Sequence, residues 1–194
     1  MAFTDLGASD MNDMNDIRDA PTVPRLEGDP NAPLDLAAFK QAFRRHAAGV
    51  ACVTARQADG TPVGFTATSL ASLSSVPPLA TFNMARTASS WPAILETQRL
   101  VIHTLGARNR ALAERMSGPS ALRFLGEHWH EGPYGLPILN DVTSWMVGSI
   151  IERIPVHNGA IVVVQIDEGG LGAEDEALLY HERMYRVPGP EAPL

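Results

Sequence analysis

Positive charge is scarce in this chain: 15 Lys and Arg stand against 22 Asp and Glu, a formal net charge of −7. A surface that neutralises a phosphate backbone needs clustered cations, so nucleic acid is not expected as a partner. Cysteine is nearly missing as well. Cys52 has no partner for an internal disulfide and sits in the apolar run Val50 to Val53. It reads as a small buried hydrophobe, and the cytoplasm is the expected compartment. No apolar run is long enough to cross a bilayer, and the chain does not open on a basic stretch followed by an apolar one. Neither a membrane span nor a signal peptide is therefore expected. Two common phosphate-binding loops, GxGxxG after a strand and GxxxxGK[ST], are both lacking, which leaves no sign of a doubly wound nucleotide fold.

What remains is 194 residues, 45% of them hydrophobic, enough for one domain with a sizeable core. Residues 1–33 mix Asp, Asn, Gly and four prolines without apolar period, and are expected to form a disordered N-terminal tail. The domain is expected over 34–188, with 189–194 as a C-terminal tail. Asp35 is placed to cap a helix that carries Leu36, Phe39 and Phe43 on one face and stops at Gly49. Beyond it, "GVACVTAR", "PVGFTATSLASL" and "PLATFNMA" are rich in Val, Thr and Phe and predict three strands. Ser89 or Ser90 before Pro92 predicts a short helix to about Gln98, "RLVIHTL" a strand, and "ARNRALAERM" a second helix. A loop region follows, with Gly118, Pro119, Gly126, Gly132 and Pro133. "SWMVGSIIERI", the turn-like "HNGA", "AIVVVQI" and "ALLYHERMYRV" then predict an antiparallel meander. Short strands joined mostly by turns predict a mainly β architecture: an antiparallel barrel with flanking helices.

One stretch carries chemistry. No residue between Thr61 and Ala85 is charged, yet Thr66, Thr68, Ser69, Ser72, Ser74 and Ser75 each bear a hydroxyl that both donates and accepts. A strand that merely faced water would carry Lys or Glu to protect its edge. A neutral hydroxyl ribbon suits a flat heteroaromatic ligand with carbonyls, ring nitrogens and a sugar-phosphate tail. Ser89, Ser90 or Arg86, near a helix N-terminus, would meet the phosphate. An ordinary Ser/Thr-rich sheet surface is the competing reading.

The segments "FRRHAAGVACVTA", "GFTATSLASLSSVPPLATFNM", "RTASSWPAIL", "LRF", "GLPIL" and "LLYHERMYR", in this order over about residues 36–187, resemble the flavin reductase family with its FMN-binding split β-barrel. The resemblance implies an NAD(P)H:flavin oxidoreductase that reduces FMN or FAD with NADH or NADPH. It also implies a homodimer that hands reduced flavin to a partner flavin-dependent monooxygenase. Its flavin-contacting ribbon falls on Thr66, Ala67, Thr68, Ser69, Ser72 and Ser74, with Pro77 and Pro78 closing the loop. The phosphate end falls on Arg86 and Ser89, and the nicotinamide side on His181 and Tyr185. One departure is visible: where the family usually reads Gly-Asp-His, this chain reads His157-Asn158-Gly159. No catalytic base is expected, because the two cofactors exchange the hydride and the protein need only align them.

The alternative is a non-enzymatic flavin-binding or interaction module on the same scaffold. Two histidines in "EHWHE" (127–131) fall short of the ligands a metal site requires, and that stretch reads as a loop with Trp129 over apolar surface. His103, inside "LVIHTL", reads as a core or interface histidine.

Overall fold

Helix α1 (Leu36–Arg45) is amphipathic as its sequence predicts, but it has no buried residue. Its aromatic face stays open, with Phe39 and Phe43 61% and 65% exposed. These are the first elements of a computed structural model that describes residues 36–190. The expected tail 1–33, the Asp35 cap and residues 191–194 lie outside the described residues. Among the described residues, 39–190 form one compact unit, and residues 36–38 of α1 belong to the unit before it.

After α1 come β1 (Ala48–Gly49), β2 (Ala51–Arg56), β3 (Pro62–Ala67), β4 (Ala71–Ser75) and β5 (Pro78–Ala85). Helix α2 (Trp91–Glu96), β6 (Arg99–Thr104), α3 (Arg110–Ser117), β7 (Trp129–Glu131) and β8 (Pro137–Leu139) follow. The chain then runs through β9 (Ser144–Val156), β10 (Gly159–Leu171), β11 (Leu179–His181) and β12 (Met184–Arg186). Seven strands form one antiparallel sheet in the order β3-β2-β6-β9-β10-β5-β4. The sheet curls without closing, which is the expected split barrel.

Two expectations fail in the same way. "PVGFTATSLASL" is not one strand: it breaks at Thr68–Leu70 into β3, paired to β2, and β4, paired to β5. These are the two outer edges of the seven-stranded sheet, so the hydroxyl ribbon bridges the barrel's open seam. Ser69 ties the seam, since its hydroxyl accepts the Asn83 N–H at 2.9 Å and donates to the Asn83 carbonyl at 3.1 Å. "ALLYHERMYRV" is likewise not a strand of the meander. It folds back at Glu182-Arg183 into the β11–β12 hairpin, which joins β1 in a separate three-stranded sheet.

Alternation along β2 builds two cores. Val53 and Ala55 face the barrel interior with Ala67, Phe82, Leu100, Ile102, Val162 and Val164. Cys52 faces the other side, with Val50, Ala113, Met116, Leu139 and Leu178 under α3 and the small sheet. Fully burying a side chain such as Phe82 is worth about 1.5–3 kcal/mol, so these interiors dominate stability. His103 is fully buried: its Nδ1–H donates to the Cys52 carbonyl at 3.3 Å, and its Nε2 accepts the Leu139 N–H at 3.1 Å. Burial pushes its pKa down to about 3, against the hydrogen bond to Cys52 that favours the charged form, so the ring is a neutral cross-link.

Candidate functional site

Strand β3 supplies the floor of a cleft of about 310 Å3 through Phe65 and Thr66, with Thr68 just beyond its end. Period-two alternation directs Thr66 outward and Ala67 into the barrel core, where Ala67 is 5% exposed. Met116 and Ser117 of α3 form one wall. Tyr180 of β11 and Tyr185 of β12 form the other, their rings stacked edge-on with centroids 5.3 Å apart. Burial raises the Tyr185 phenol above its ordinary pKa, against an opposing hydrogen bond with Ser117.

Arg123 ends the cleft. Its Nε donates to the Gly118 carbonyl at 2.9 Å, and its Nη1 donates to the Gly64 carbonyl at 2.7 Å and Ser90 Oγ at 3.3 Å. These bonds fix the guanidinium between this cleft and a second one of about 230 Å3, which Ser89, Ser90, Ser120 and Arg123 line. Burial lowers the Arg123 pKa, yet an arginine keeps its charge at any ordinary pH. Gly64 permits this convergence: a Cβ there would stand 2.6 Å from Met116 Cε and 2.9 Å from the Val53 carbonyl. Arg123, which lines both clefts, is not among the residues that the sequence reading singles out. The available signal was a lone arginine between two apolar residues, in the segment "LRF".

The expected site residues divide. Thr66, Thr68 and Tyr185 share the first cleft, and Ser89 lines the second, joined to it by Arg123. Ser69 is engaged with Asn83, while Ser72 and Ser74 stand on β4 at the opposite edge of the sheet. Arg86 and Ser89 do not line one cleft together. Arg86 instead donates from Nη1 to the His157 carbonyl at 3.1 Å, and its N–H bonds the Asn158 carbonyl at 2.8 Å, clamping the β9–β10 turn. His181 donates from Nε2 to the Arg45 carbonyl at 3.1 Å and is not part of the Thr66 cleft. Ser90 precedes α2 as expected, but its hydroxyl makes no cap; it turns inward and donates to the Gly64 carbonyl at 3.3 Å. In "EHWHE", His128 bonds the Arg123 carbonyl, Trp129 the Phe124 carbonyl and His130 the Asn140 side chain.

A cleft of hydroxyls, aromatic faces and one fixed cation, with no carboxylate in its lining, fits a planar ring system bearing carbonyls and a phosphate tail. Residues 43–189 match the model of the flavin reductase like domain. The chain belongs to the flavin reductase family. An NADH:FMN oxidoreductase of Rhodococcus qingshengii is 38% identical over 177 residues, covering 88% of this chain and 92% of its own. An FMN reductase (NADH), RutF, of Methylorubrum extorquens is 31% identical over 163 residues, 83% of this chain and 78% of its own. Among solved structures, a flavin reductase domain protein from Arthrobacter sp. FB24 superposes with a TM-score of 0.78 at 50% identity, covering 81% of this chain and 98% of that one. NAD(P)H-dependent flavin reduction is the activity that this family membership supports.

Proposed function

We propose that this flavin reductase holds the flavin ring in the Thr66–Thr68–Tyr185 cleft, with the flavin phosphate toward Ser89 and Arg123. The convergence of neutral hydroxyls, two tyrosines and one anchored guanidinium on a single cleft carries the reading. When bound, nicotinamide and flavin supply the hydride transfer itself. The chain's own residues bind and orient. Thr66 and Thr68 offer donors and acceptors to ring-edge carbonyls and nitrogens, and the tyrosine faces exclude water from one side of the ring. Arg123 sets a fixed positive charge where an anionic group is needed. In this reading the first half of the hydroxyl ribbon binds ligand, whereas Ser69, Ser72 and Ser74 belong to the seam.

Neutral hydroxyls grip flavin moderately, which suits a cytoplasmic enzyme that releases reduced flavin to a separate monooxygenase. The exposed aliphatic stripe of Ile151, Ile154, Val156 and Ile161 on β9 and β10, where Ile154 and Ile161 sit opposite each other, supports a homodimer through that face. Steady-state NADH oxidation with added FMN or FAD tests the function. Turnover that depends on free flavin supports it, and flavin binding without turnover would mark a non-enzymatic flavin carrier. Replacing Ile154 and Ile161 by Glu should convert the sedimenting dimer to monomer.

A further inference from the structure

Two side chains of the tract "EHWHE" reach back over the loop that carries Arg123, and both do so in the same register. His128 Nε2 donates to the Arg123 carbonyl at 2.7 Å, and Trp129 Nε1 donates to the Phe124 carbonyl at 3.1 Å, each from five residues further along the chain. From α3, Arg115 Nη1 donates to the next carbonyl, that of Leu125, at 3.1 Å. Carbonyls 123, 124 and 125 are therefore held by side chains, where a helix or a sheet ladder would use backbone N–H groups. Gly126, at φ of 108°, makes the reversal that brings His128 back to Arg123.

Behind these donors the frame is stiff. Strand β7 pairs with β8 through Trp129 and Leu139, and Asn140 donates its N–H to the His128 carbonyl at 2.9 Å and its side-chain amide to the Glu127 carbonyl at 2.8 Å. Strand β8 is tied in turn to the barrel: Thr54 Oγ1 of β2 donates to the Pro137 carbonyl at 2.5 Å, and the Leu139 N–H donates to His103 Nε2 of β6 at 3.1 Å. The Trp129 ring meets Phe124 edge-on, with centroids 5.6 Å apart. His128 thus connects the barrel wall to the peptide from which the Arg123 side chain springs.

For Arg123 such holding matters. Of its five N–H donors, Nε and Nη1 are engaged with the Gly118 carbonyl, the Gly64 carbonyl and Ser90 Oγ. The Nη2 donors form no hydrogen bond among the described residues, so they are the ones left for an anion. A charge-assisted bond is directional, and a long side chain keeps its direction only when its root is fixed as well as its tip.

We infer that His128 is a positioning residue for phosphate recognition, an inference that rests on the placement of the flavin phosphate at Ser89 and Arg123. By holding the Arg123 carbonyl it sets where the Nη2 donors point, and Trp129 fixes the peptide that follows.

The experiment is a pair of flavin-fluorescence quenching titrations, with FMN and with riboflavin, which lacks the phosphate. They are run on the full chain as wild type, Arg123→Gln, His128→Leu and His128→Gln, beside steady-state NADH kinetics. His128→Leu removes the donor and should weaken FMN binding by about five- to tenfold, the worth of one hydrogen bond, while riboflavin affinity changes by less than about twofold. KM for FMN should rise by the same factor, with kcat held within about twofold. Glutamine carries an amide N–H to the place of Nε2, so His128→Gln should restore FMN affinity to within about twofold of the wild type. Equal weakening of both flavins by His128→Leu would assign His128 to folding alone and overturn the inference. No weakening of FMN, or no restoration by glutamine, overturns it as well. Should His128→Leu fail to fold, Trp129→Phe, which keeps a ring against Phe124 and loses the N–H, is read in the same way. Arg123→Gln separates the two levels of the reading. An unchanged preference for FMN over riboflavin there overturns the phosphate placement and the role of His128 with it. A preference lost there but kept in His128→Leu overturns the role of His128 alone.

Discussion

His103 makes the protein acid-sensitive in a way that one substitution should reveal. The ring is fully buried and neutral, with a folded pKa of about 3 against an ordinary value of 6.5. The unfolded chain therefore binds a proton that the folded chain refuses. Stability from this residue is complete above about pH 6.5 and declines as pH falls toward 3. Between about pH 7.5 and about pH 5.5 the loss is about 1.4 kcal/mol, and the whole shift corresponds to about 5 kcal/mol. Carboxylates stay mostly ionised in both states over that window, which is why it is chosen. Urea unfolding at several pH values, on the wild type and His103→Leu, measures the difference. The variant leaves the Leu139 N–H without its acceptor and should be about 1–3 kcal/mol less stable at neutral pH. It should nevertheless lose about 1.4 kcal/mol less than the wild type on acidification. Should leucine prevent folding, His103→Gln, which keeps an acceptor and does not titrate, takes its place. Parallel pH profiles for wild type and variant would refute the argument.

Other outcomes follow from the same packing. Burial raises the Cys52 thiol to about 12, so in native protein it should resist thiol reagents that label it rapidly in urea. Its contribution to stability is present below the ordinary value of 9.0 and is lost as pH rises toward 12; Cys52→Ala should flatten that alkaline decline. Gly64→Ala forces Met116 and Phe124 aside and should cost about 1–3 kcal/mol, read as a lowered urea midpoint, with weaker flavin binding. Arg123→Gln should raise KM for FMN by roughly 10- to 100-fold, the worth of a charge-assisted contact. KM for riboflavin, which has no phosphate, should rise far less; an equal rise would show that Arg123 only supports the loop.

Sequence pattern made the barrel legible where neighbours are periodic. The Val- and Thr-rich run "GVACVTAR" predicts a strand and the structure has β2 there, with Val53 and Ala55 on one face and Cys52 on the other. Pattern failed where chain direction changes without a turn former. Thr68 to Leu70 read as continuous strand because Thr, Ser and Leu are all tolerated there, and only tertiary pairing of β4 with β5 reveals the corner. Glu182 and Arg183 are poor residues for a tight hairpin, so nothing local announced the fold-back. Thr66, Thr68 and Tyr185, singled out by hydroxyl pattern and resemblance, share one cleft. Arg123 was not singled out, because the carbonyls at positions 64 and 118 that hold it between the two clefts converge only in three dimensions. Ser69 reads as a ligand group, and tertiary structure adds what the pattern could not show: its hydroxyl donates to the Asn83 carbonyl and accepts the Asn83 N–H.

That knot at Ser69 has a consequence for how these molecules behave in a crowd. An open sheet with two free margins invites another chain to dock there and propagate, and most proteins discourage this with lysines or glutamates. Here both margins lack such guards, and the polypeptide bends one into the neighbourhood of the other, where a lone alcohol fastens them. Removing that oxygen in Ser69→Ala should leave the monomer's chemistry largely intact while turning its solutions turbid on standing.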